Sequence, residues 1–339
     1  MDFELPDELL ELRDSVRRLA QDKVKPRARA IDKEGSYPTD IFEAFRDAGL
    51  LGLCIPVEFG GSGAGILGLA LAIEEVAKYS NTAALMLLLT RLPTGPVMIA
   101  GTTEQKQRYL PGICEGTLHA AFGLSEPQAG SDVMGMRTRG TPDDGGGWVL
   151  NGTKCWITHG ISSDVVVVIV RTGELLDSKG MTAFVVERGT PGLKAGKKEN
   201  KLGMRSSETA EVIFEDCRVP EANILGQVGE GFQQAMKVLD GGRISIAALS
   251  LGIAKGAYDA SVKYAKEREA FGRPISAYQG VSFKIARMEA RAHTARLAYY
   301  RAAALMIAGR EFKKEAAIAK LIAGEAAMDN AREDRKSVV

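Results

Sequence analysis

The sequence predicts an α+β multidomain protein: an all-α N-terminal domain over residues 1–118, a central antiparallel β domain over 119–225 and a C-terminal helical bundle over 226–333. Three observations predict it. Apolar residues recur at helical spacing through the first third of the chain. Short β-branched and aromatic runs, bounded by Gly, Asp and Pro, then replace them. The helical period returns at Gly229 and persists to Asn330. This order contains no alternating strand-helix-strand units, so a dinucleotide-binding sheet is excluded.

The first helix is announced by Leu9, Leu12, Val16, Leu19 and Val24, with Arg17, Arg18 and Lys23 between them. Similar amphipathic patterns span Ile41 to Ala48, Ile66 to Tyr79, Ala83 to Arg91 and Glu104 to Leu110, separated by the loop PVEFGGSGAG and by Pro93 and Pro96. WVLNGTKCWIT, DVVVVIV, MTAFVVE and TAEVIFEDCRV read as strands. Phe232, Met236, Leu239, Ile244, Ile246 and Ala247 restart the helical period, which is interrupted once, at FGRPI. GGSGAG and GQVGEGF are glycine-rich, but neither follows a predicted strand inside a strand-helix-strand unit, so both read as loops. Walker A and GxSxG motifs are missing, as are internal repeats.

Composition narrows the function. At 339 residues the chain can bury more than one core, and 45% hydrophobic with 26% charged residues is a globular balance. A net charge of +1 provides no field for nucleic acid or an acidic membrane surface. Cys54, Cys114, Cys155 and Cys217 form no CxxC pair and read as reduced thiols, which suits a cytoplasmic protein. The N-terminus MDFELPDELLELRD is acidic and unlike a signal peptide, and Ala83 to Leu89 is too short to span a bilayer. His119, His159 and His293 are scattered without ligand spacing, so no metal site is expected.

One stretch asks for a ligand. AFGLSEPQAGSD, Ala121 to Asp132, concentrates hydroxyls, an amide and glycine-exposed backbone directly after an apolar run. Converging donors suit a ligand rich in acceptor oxygens, although the same residues also build ordinary turns. Read with the Trp156-Ile157-Thr158 run, KLGMRSSET, LDGGRI and REAFGRPISAYQ, the stretch falls into the order and approximate spacing of the acyl-CoA dehydrogenase family. The chain resembles that family over nearly its whole length.

The resemblance implies FAD, bound between domains and between subunits, with Phe122, Leu124, Ser125, Ser131, Trp156, Ile157 and Thr158 along the cofactor. Ser125 would hydrogen-bond the isoalloxazine, and Ser131 would lie near both cofactor and acyl-CoA. Hydroxyl donors suit the charge that a reduced flavin gathers. Arg268, Phe271 and Gln279 match positions serving the neighbouring subunit's FAD, with Arg268 at the pyrophosphate, so a homodimer or dimer of dimers is implied. Asp240 and Arg243 match a helix start that meets the substrate's CoA portion. Plainer readings stay open: a core aromatic at Trp156, a solvated charge at Arg268, and a surface ion pair joining Asp240 to Arg243.

The implied reaction oxidises an acyl-CoA thioester to its trans-2-enoyl form and passes the electrons to electron-transferring flavoprotein. It needs a carboxylate base, its pKa raised by a dry pocket. The family carries that glutamate in a C-terminal YEGT-like loop or just before the arginine matched by Arg243. Here the second position is Gly242 and no YEGT-like segment precedes Val339. Glu126 and Glu208 are poorly placed substitutes, one in the flavin loop and the other in a β-domain turn. The expectation is therefore an inactive fragment whose catalytic glutamate lies beyond Val339. Its last residues, 334–339 (DRKSVV), resemble no family segment and are expected to be a non-native tail. A flavin-dependent oxidase or monooxygenase on the same fold, or a non-catalytic FAD-binding scaffold, are the rival functions.

Overall fold

The computed structural model describes residues 4–338, with side chains described as far as Asp334. In chain order the helices of the first third are α1 (Asp7–Leu19), α2 (Lys25–Glu34), α3 (Thr39–Asp47), α4 (Gly65–Ala77), α5 (Asn81–Leu89), α6 (Gly95–Ala100) and α7 (Thr103–Cys114). A π turn, Ala20–Val24, joins α1 to α2. The strands follow: β1 (Ala120–Gly123), β2 (Arg139–Pro142), β3 (Trp148–Thr158), β4 (Val165–Arg171), β5 (Met181–Glu187), β6 (Leu193–Lys198), β7 (Thr209–Val219) and β8 (Ile224–Leu225). Then come α8 (Gly231–Glu267), the two-residue strands β9 (Glu269–Ala270) and β10 (Arg273–Pro274), α9 (Gln279–Ile307) and α10 (Lys313–Val338). No helix among the described residues is long and apolar enough to cross a membrane.

These elements fold into two units, one formed by residues up to Lys33, Ala64–Leu88 and Asp240 onward, the other by Glu34–Gly63 and Leu89–Leu239. The predicted helical, β and helical regions are all present, but the two units interleave along the chain. The reason lies in the first 118 residues: α1 and α4 contact one another, whereas α6 and α7 pack into the core of the sheet.

The sheet runs β6-β7-β3-β2-β4-β5-β8, with β1 added alongside β4. The expectation of an antiparallel domain is corrected at two pairings: β1 is parallel to β4 from Ala120↔Val165 to Gly123↔Val168, and β2 meets β4 in parallel at Arg139↔Arg171. Parallel neighbours need a crossover, here supplied by the segment carrying β2 and β3. Every residue of β4 is buried, as expected for a strand covered on both faces. Its alternation divides the core. Val165, Val167 and Ile169 join Val97, Leu110, Leu124, Met136 and Ala235 in one apolar cluster, while Val166, Val168 and Val170 join Leu150, Phe184, Val212 and Phe214 in another.

Helix α7 opens with a capping box in which Thr102 Oγ1 accepts from the Gln105 N–H at 3.2 Å and Gln105 Oε1 accepts from the Thr102 N–H at 2.9 Å. The amide Nε2 of the same Gln105 donates to the carbonyls of Ala222 at 2.9 Å and Ile224 at 2.8 Å.

In the other unit α4 is apolar on nearly every face, yet it buries Glu74 and Glu75. Both carboxylates are paired: Glu74 with Arg296 and with the Tyr299 hydroxyl at 2.7 Å, Glu75 with Arg17 at 3.1 Å and Lys78 at 2.6 Å. Gly252 and Gly256 let α8 lie directly on the end of α4, where an added Cβ would sit 2.6 Å from the Glu74 carbonyl oxygen and 2.3 Å from that of Lys78. From α10, Asn330 Nδ2 donates to the carbonyls of Ala254 in α8 at 3.1 Å and Met288 in α9 at 3.0 Å, tying three bundle helices together. The reading of residues 334–339 as a foreign tail gains no support from the fold. Helix α10 runs through Val338, and Asp334 accepts from the Ser261 hydroxyl at 2.7 Å, while Val339 lies outside the described residues.

Candidate active site

Strand β1 delivers Phe122 and then releases the chain into the polar loop that starts at Leu124. A carboxylate and an ammonium deep in the protein hold that loop. Glu126 is 2% exposed and Lys154, from β3, is 0% exposed. Lys154 Nζ donates to Glu126 Oε1 at 2.8 Å and to the Leu124 carbonyl at 3.1 Å. The Arg137 and Thr138 backbone N–H groups donate to the two Glu126 oxygens at 2.7 and 2.9 Å. Burial raises the carboxyl's pKa, but Lys154 and these donors outweigh it and hold the group below its ordinary value. Burial pushes the Lys154 ammonium down to about 8, against the pull of Glu126. A carboxylate so committed cannot collect a substrate proton, so Glu126 is excluded as a base.

The loop's other attachments are apolar and backbone. Leu124 and Ala129 enter the first core cluster, and the Cys155 N–H donates to the Ser125 carbonyl at 3.0 Å. Ser125 is left half-buried and Ser131 exposed, with the Trp156-Ile157-Thr158 run one residue from the Ser125 contact. Leu124 and Ile157, both expected along the cofactor, commit their side chains to the core at 8% and 3% exposure; what remains for a ligand is their backbone.

Trp156 is not the core aromatic of the plainer reading. The β3–β7 register skips between Lys154 and Ile157, and at this bulge Trp156 takes φ = 58° with 59% of its surface exposed. A positive φ costs a bulky residue on the order of 1–3 kcal/mol and persists only where surrounding structure enforces it. Here Cys155 and Ile157, both buried, pin the chain on either side and turn the indole outward.

Beyond Thr158, His159 also has positive φ, at 60°. It packs edge-on against Tyr37 at 5.7 Å and His119 at 5.6 Å, and its Nδ1 is buried without a partner. Burial, reinforced by His119, pushes its pKa down to about 4, so the ring is neutral. Glu208 closes the following turn by accepting from the Ile161 and Ser162 N–H groups at 2.8 and 3.0 Å. That role makes it a turn cap, not a base.

The remaining predicted residues belong to the other unit. Arg268 and Gln279 are exposed, and Phe271, at the tip of the β9–β10 hairpin, is 96% exposed with φ = 51°. Tyr278 braces the tip: its hydroxyl donates to the Ala270 carbonyl at 2.7 Å and the Arg273 guanidinium lies 4.3 Å from its ring centre. Asp240 and Arg243 form the i,i+3 ion pair of the plainer reading, and Gly242 is buried between them in α8. Sequence reasoning missed the Glu126–Lys154 lock, since no spacing signal joins a loop carboxylate to a strand lysine 28 residues on.

Comparisons with known proteins agree with this geometry. Three domain families match in order: the acyl-CoA dehydrogenase N-terminal domain over residues 6–117, the middle domain over 121–217 and the C-terminal domain over 229–335. Acryloyl-CoA reductase (NADH) of Anaerotignum propionicum is 44% identical over 326 residues, covering 96% of this chain and 83% of the relative. The mitochondrial short-chain specific acyl-CoA dehydrogenase of Homo sapiens is 43% identical over 325 residues, 96% of this chain and 79% of its own length. The structure of butyryl-CoA dehydrogenase from Megasphaera elsdenii superposes with a TM-score of 0.96 at 38% identity, covering 100% of this chain and 89% of that one. By its domain order, its fold and the sequence it shares with these proteins, the chain belongs to the acyl-CoA dehydrogenase family.

Proposed function

We propose that the protein dehydrogenates short acyl-CoA thioesters to trans-2-enoyl-CoA with FAD as its cofactor, and that electron-transferring flavoprotein receives the electrons. The observation that carries this reading is the outward indole of Trp156 on an enforced bulge, one residue from the Cys155–Ser125 link that fixes the donor loop. This arrangement fits an isoalloxazine: an aromatic face for stacking, with the Ser125 and Thr158 hydroxyls on the two tethered segments. Ser131, exposed at the end of the loop, fits a role toward both cofactor and thioester. FAD bound there would supply the acceptor for the electron pair that leaves the substrate's β-carbon.

What the chain's own residues do is hold and orient. The Glu126–Lys154 lock fixes the loop without offering a base, and Gly242 leaves the helix position of the family's glutamate without a carboxylate. Arg268, Phe271 and Gln279 are assigned to the FAD of a neighbouring subunit in a homo-oligomer. The names of the relatives support short chains and a reaction at the same carbon pair, which the reductase relative works from the unsaturated side. Free thiols at Cys54, Cys114, Cys155 and Cys217 support a cytoplasmic setting. The test is anaerobic titration of the FAD-loaded protein with butyryl-CoA. Flavin bleaching followed by slow reoxidation in air would support dehydrogenation and require a base other than Glu126 or Glu208, rapid reoxidation would assign an oxidase, and no bleaching with any acyl-CoA would support the inactive or scaffold reading.

A further inference from the structure

Asparagine followed by glycine is a chemically labile pair, because a glycine without a Cβ leaves its backbone nitrogen free to approach the asparagine side chain. The chain has five asparagines, and Asn151 alone precedes a glycine. It lies in β3 with its side chain exposed. The fold nevertheless requires both residues. Gly152 takes φ = 142°, and an added Cβ would stand 2.7 Å from the Thr138 Cα, so no larger residue fits.

Asn151 is required for a different reason. The β3–β7 register passes from Leu150↔Cys217 to Gly152↔Phe214, which leaves Asn151 opposite both Glu215 and Asp216. At this irregularity Asp216 has φ = 46°. The Asn151 carboxamide clamps it from two sides: Oδ1 accepts from the Asp216 N–H at 2.8 Å, and Nδ2 donates to Asp216 Oδ1 at 3.1 Å. A side chain thus replaces ladder bonds that the bulge disrupts. The cation nearest in sequence, Arg218, is already paired with Asp143.

The clamp also governs the chemistry of the pair. In deamidation the Gly152 nitrogen attacks Asn151 Cγ. A new N–C bond closes a five-membered succinimide, the Cγ–Nδ2 bond breaks, and the nitrogen leaves as ammonia carrying the proton that Gly152 gave up. Water then opens the ring to aspartate or to its β-linked isomer, and no electrons are exchanged. Attack requires Cγ to swing toward the following nitrogen, whereas the two bonds to Asp216 hold the carboxamide against the neighbouring strand. The product cannot restore the clamp. It loses the Nδ2 donor and sets a second carboxylate against that of Asp216, where like charges repel. The β-linked isomer also lengthens the backbone of β3, the strand that carries Lys154 and Trp156.

We propose that Asn151 is a site of spontaneous deamidation in this protein and that its clamp to Asp216 sets the rate.

The experiment follows one peptide. The FAD-loaded full chain, the same chain unfolded in urea and the Asp216→Gly variant are incubated at mildly alkaline pH. The peptide containing Asn151 is then weighed at intervals, and its isoaspartate is measured with an isoaspartyl methyltransferase. Glycine suits the positive φ at residue 216, so this variant removes the carboxylate without straining the bulge. The unfolded chain is expected to deamidate at Asn151 at least ~10-fold faster than the native protein, and native Asp216→Gly at least ~5-fold faster, as for loss of a hydrogen bond to a charged group. Arg218→Ala, which breaks an exposed ion pair on the same strand, should keep the native rate. Absence of reaction in the unfolded chain overturns the site. A native rate equal to the unfolded one overturns the restraint, as does a wild-type rate in folded Asp216→Gly or an equal acceleration by Arg218→Ala. If Asp216→Gly fails to fold, the ratio of native to unfolded rates decides alone.

Discussion

Lys154 Nζ and Glu126 Oε1 stand 2.8 Å apart with neither side chain reaching solvent, joining a strand of the central sheet to the loop assigned to the flavin. Removing one partner strands the other charge in the interior. Glu126→Gln or Lys154→Met should therefore cost about 3–5 kcal/mol. The double variant should recover much of that loss, because it leaves no buried charge. Chemical denaturation of the four proteins in a double-mutant cycle checks this, and strictly additive losses would contradict it.

Trp156 separates stability from cofactor retention. Its side chain is largely exposed in the chain itself and its backbone is strained, so Trp156→Gly should raise the stability of the cofactor-free protein by on the order of 1 kcal/mol. The same change should sharply lower FAD content, as should Trp156→Ala. Calorimetry of apoprotein and absorbance of purified holoprotein measure the two effects separately. Full flavin retention in both variants would remove Trp156 from the site.

His159 should make the protein acid-sensitive. Its pKa falls from 6.5 to about 4 in the folded state, so the unfolded chain binds more protons across that window. Stability is then lost as pH falls from 6.5 toward 4. The loss from this group is on the order of 3 kcal/mol when the window has been crossed. The groups facing the ring are Tyr37, His119 and Glu208, and the last opposes the shift. Urea midpoints of His159→Asn should fall less steeply through this range than those of wild type.

The exposed tip at Phe271 should matter only in the assembly. Phe271→Asp should leave the cofactor-free subunit's unfolding midpoint nearly unchanged while weakening self-association and lowering flavin content together. Arg268→Ala should also lose both. Sedimentation and absorbance test the coupling, and a flavin-loaded, fully assembled Arg268→Ala protein would contradict the assignment of Arg268 to a neighbouring subunit.

The long helices and the four strongest strands were legible because their apolar period survives in the chain. The period is clearest in β4, whose unbroken Val165–Val170 run reads directly as a strand buried on both faces. Helix α6 was not legible: it spans six residues and begins with Gly-Pro, too little for a helical period. Strand β6, LKAGKK, lacks apolar alternation, and β1 earns its place only through parallel pairing with a distant strand. In the candidate site, motif order singled out Ser125, Ser131, Trp156 and Thr158, and the Cys155–Ser125 hydrogen bond brings the two segments that carry them together. The bulge that turns Trp156 outward and the lysine that anchors Glu126 depend on tertiary placement that no local pattern records.

Gln105 serves two structures with one amide. Its oxygen completes the start of α7 and its nitrogen holds the carbonyls of Ala222 and Ile224 at the edge strand β8. Neither can open alone without breaking bonds to the same side chain, so the helix start and the sheet edge form a single cooperative opening unit. Deuterium should then enter the Gln105 and Leu225 backbone amides with closely similar protection in the native protein. Replacing Gln105 with Glu, which keeps the oxygen and removes the donor, should uncouple them and let the edge of the sheet exchange first.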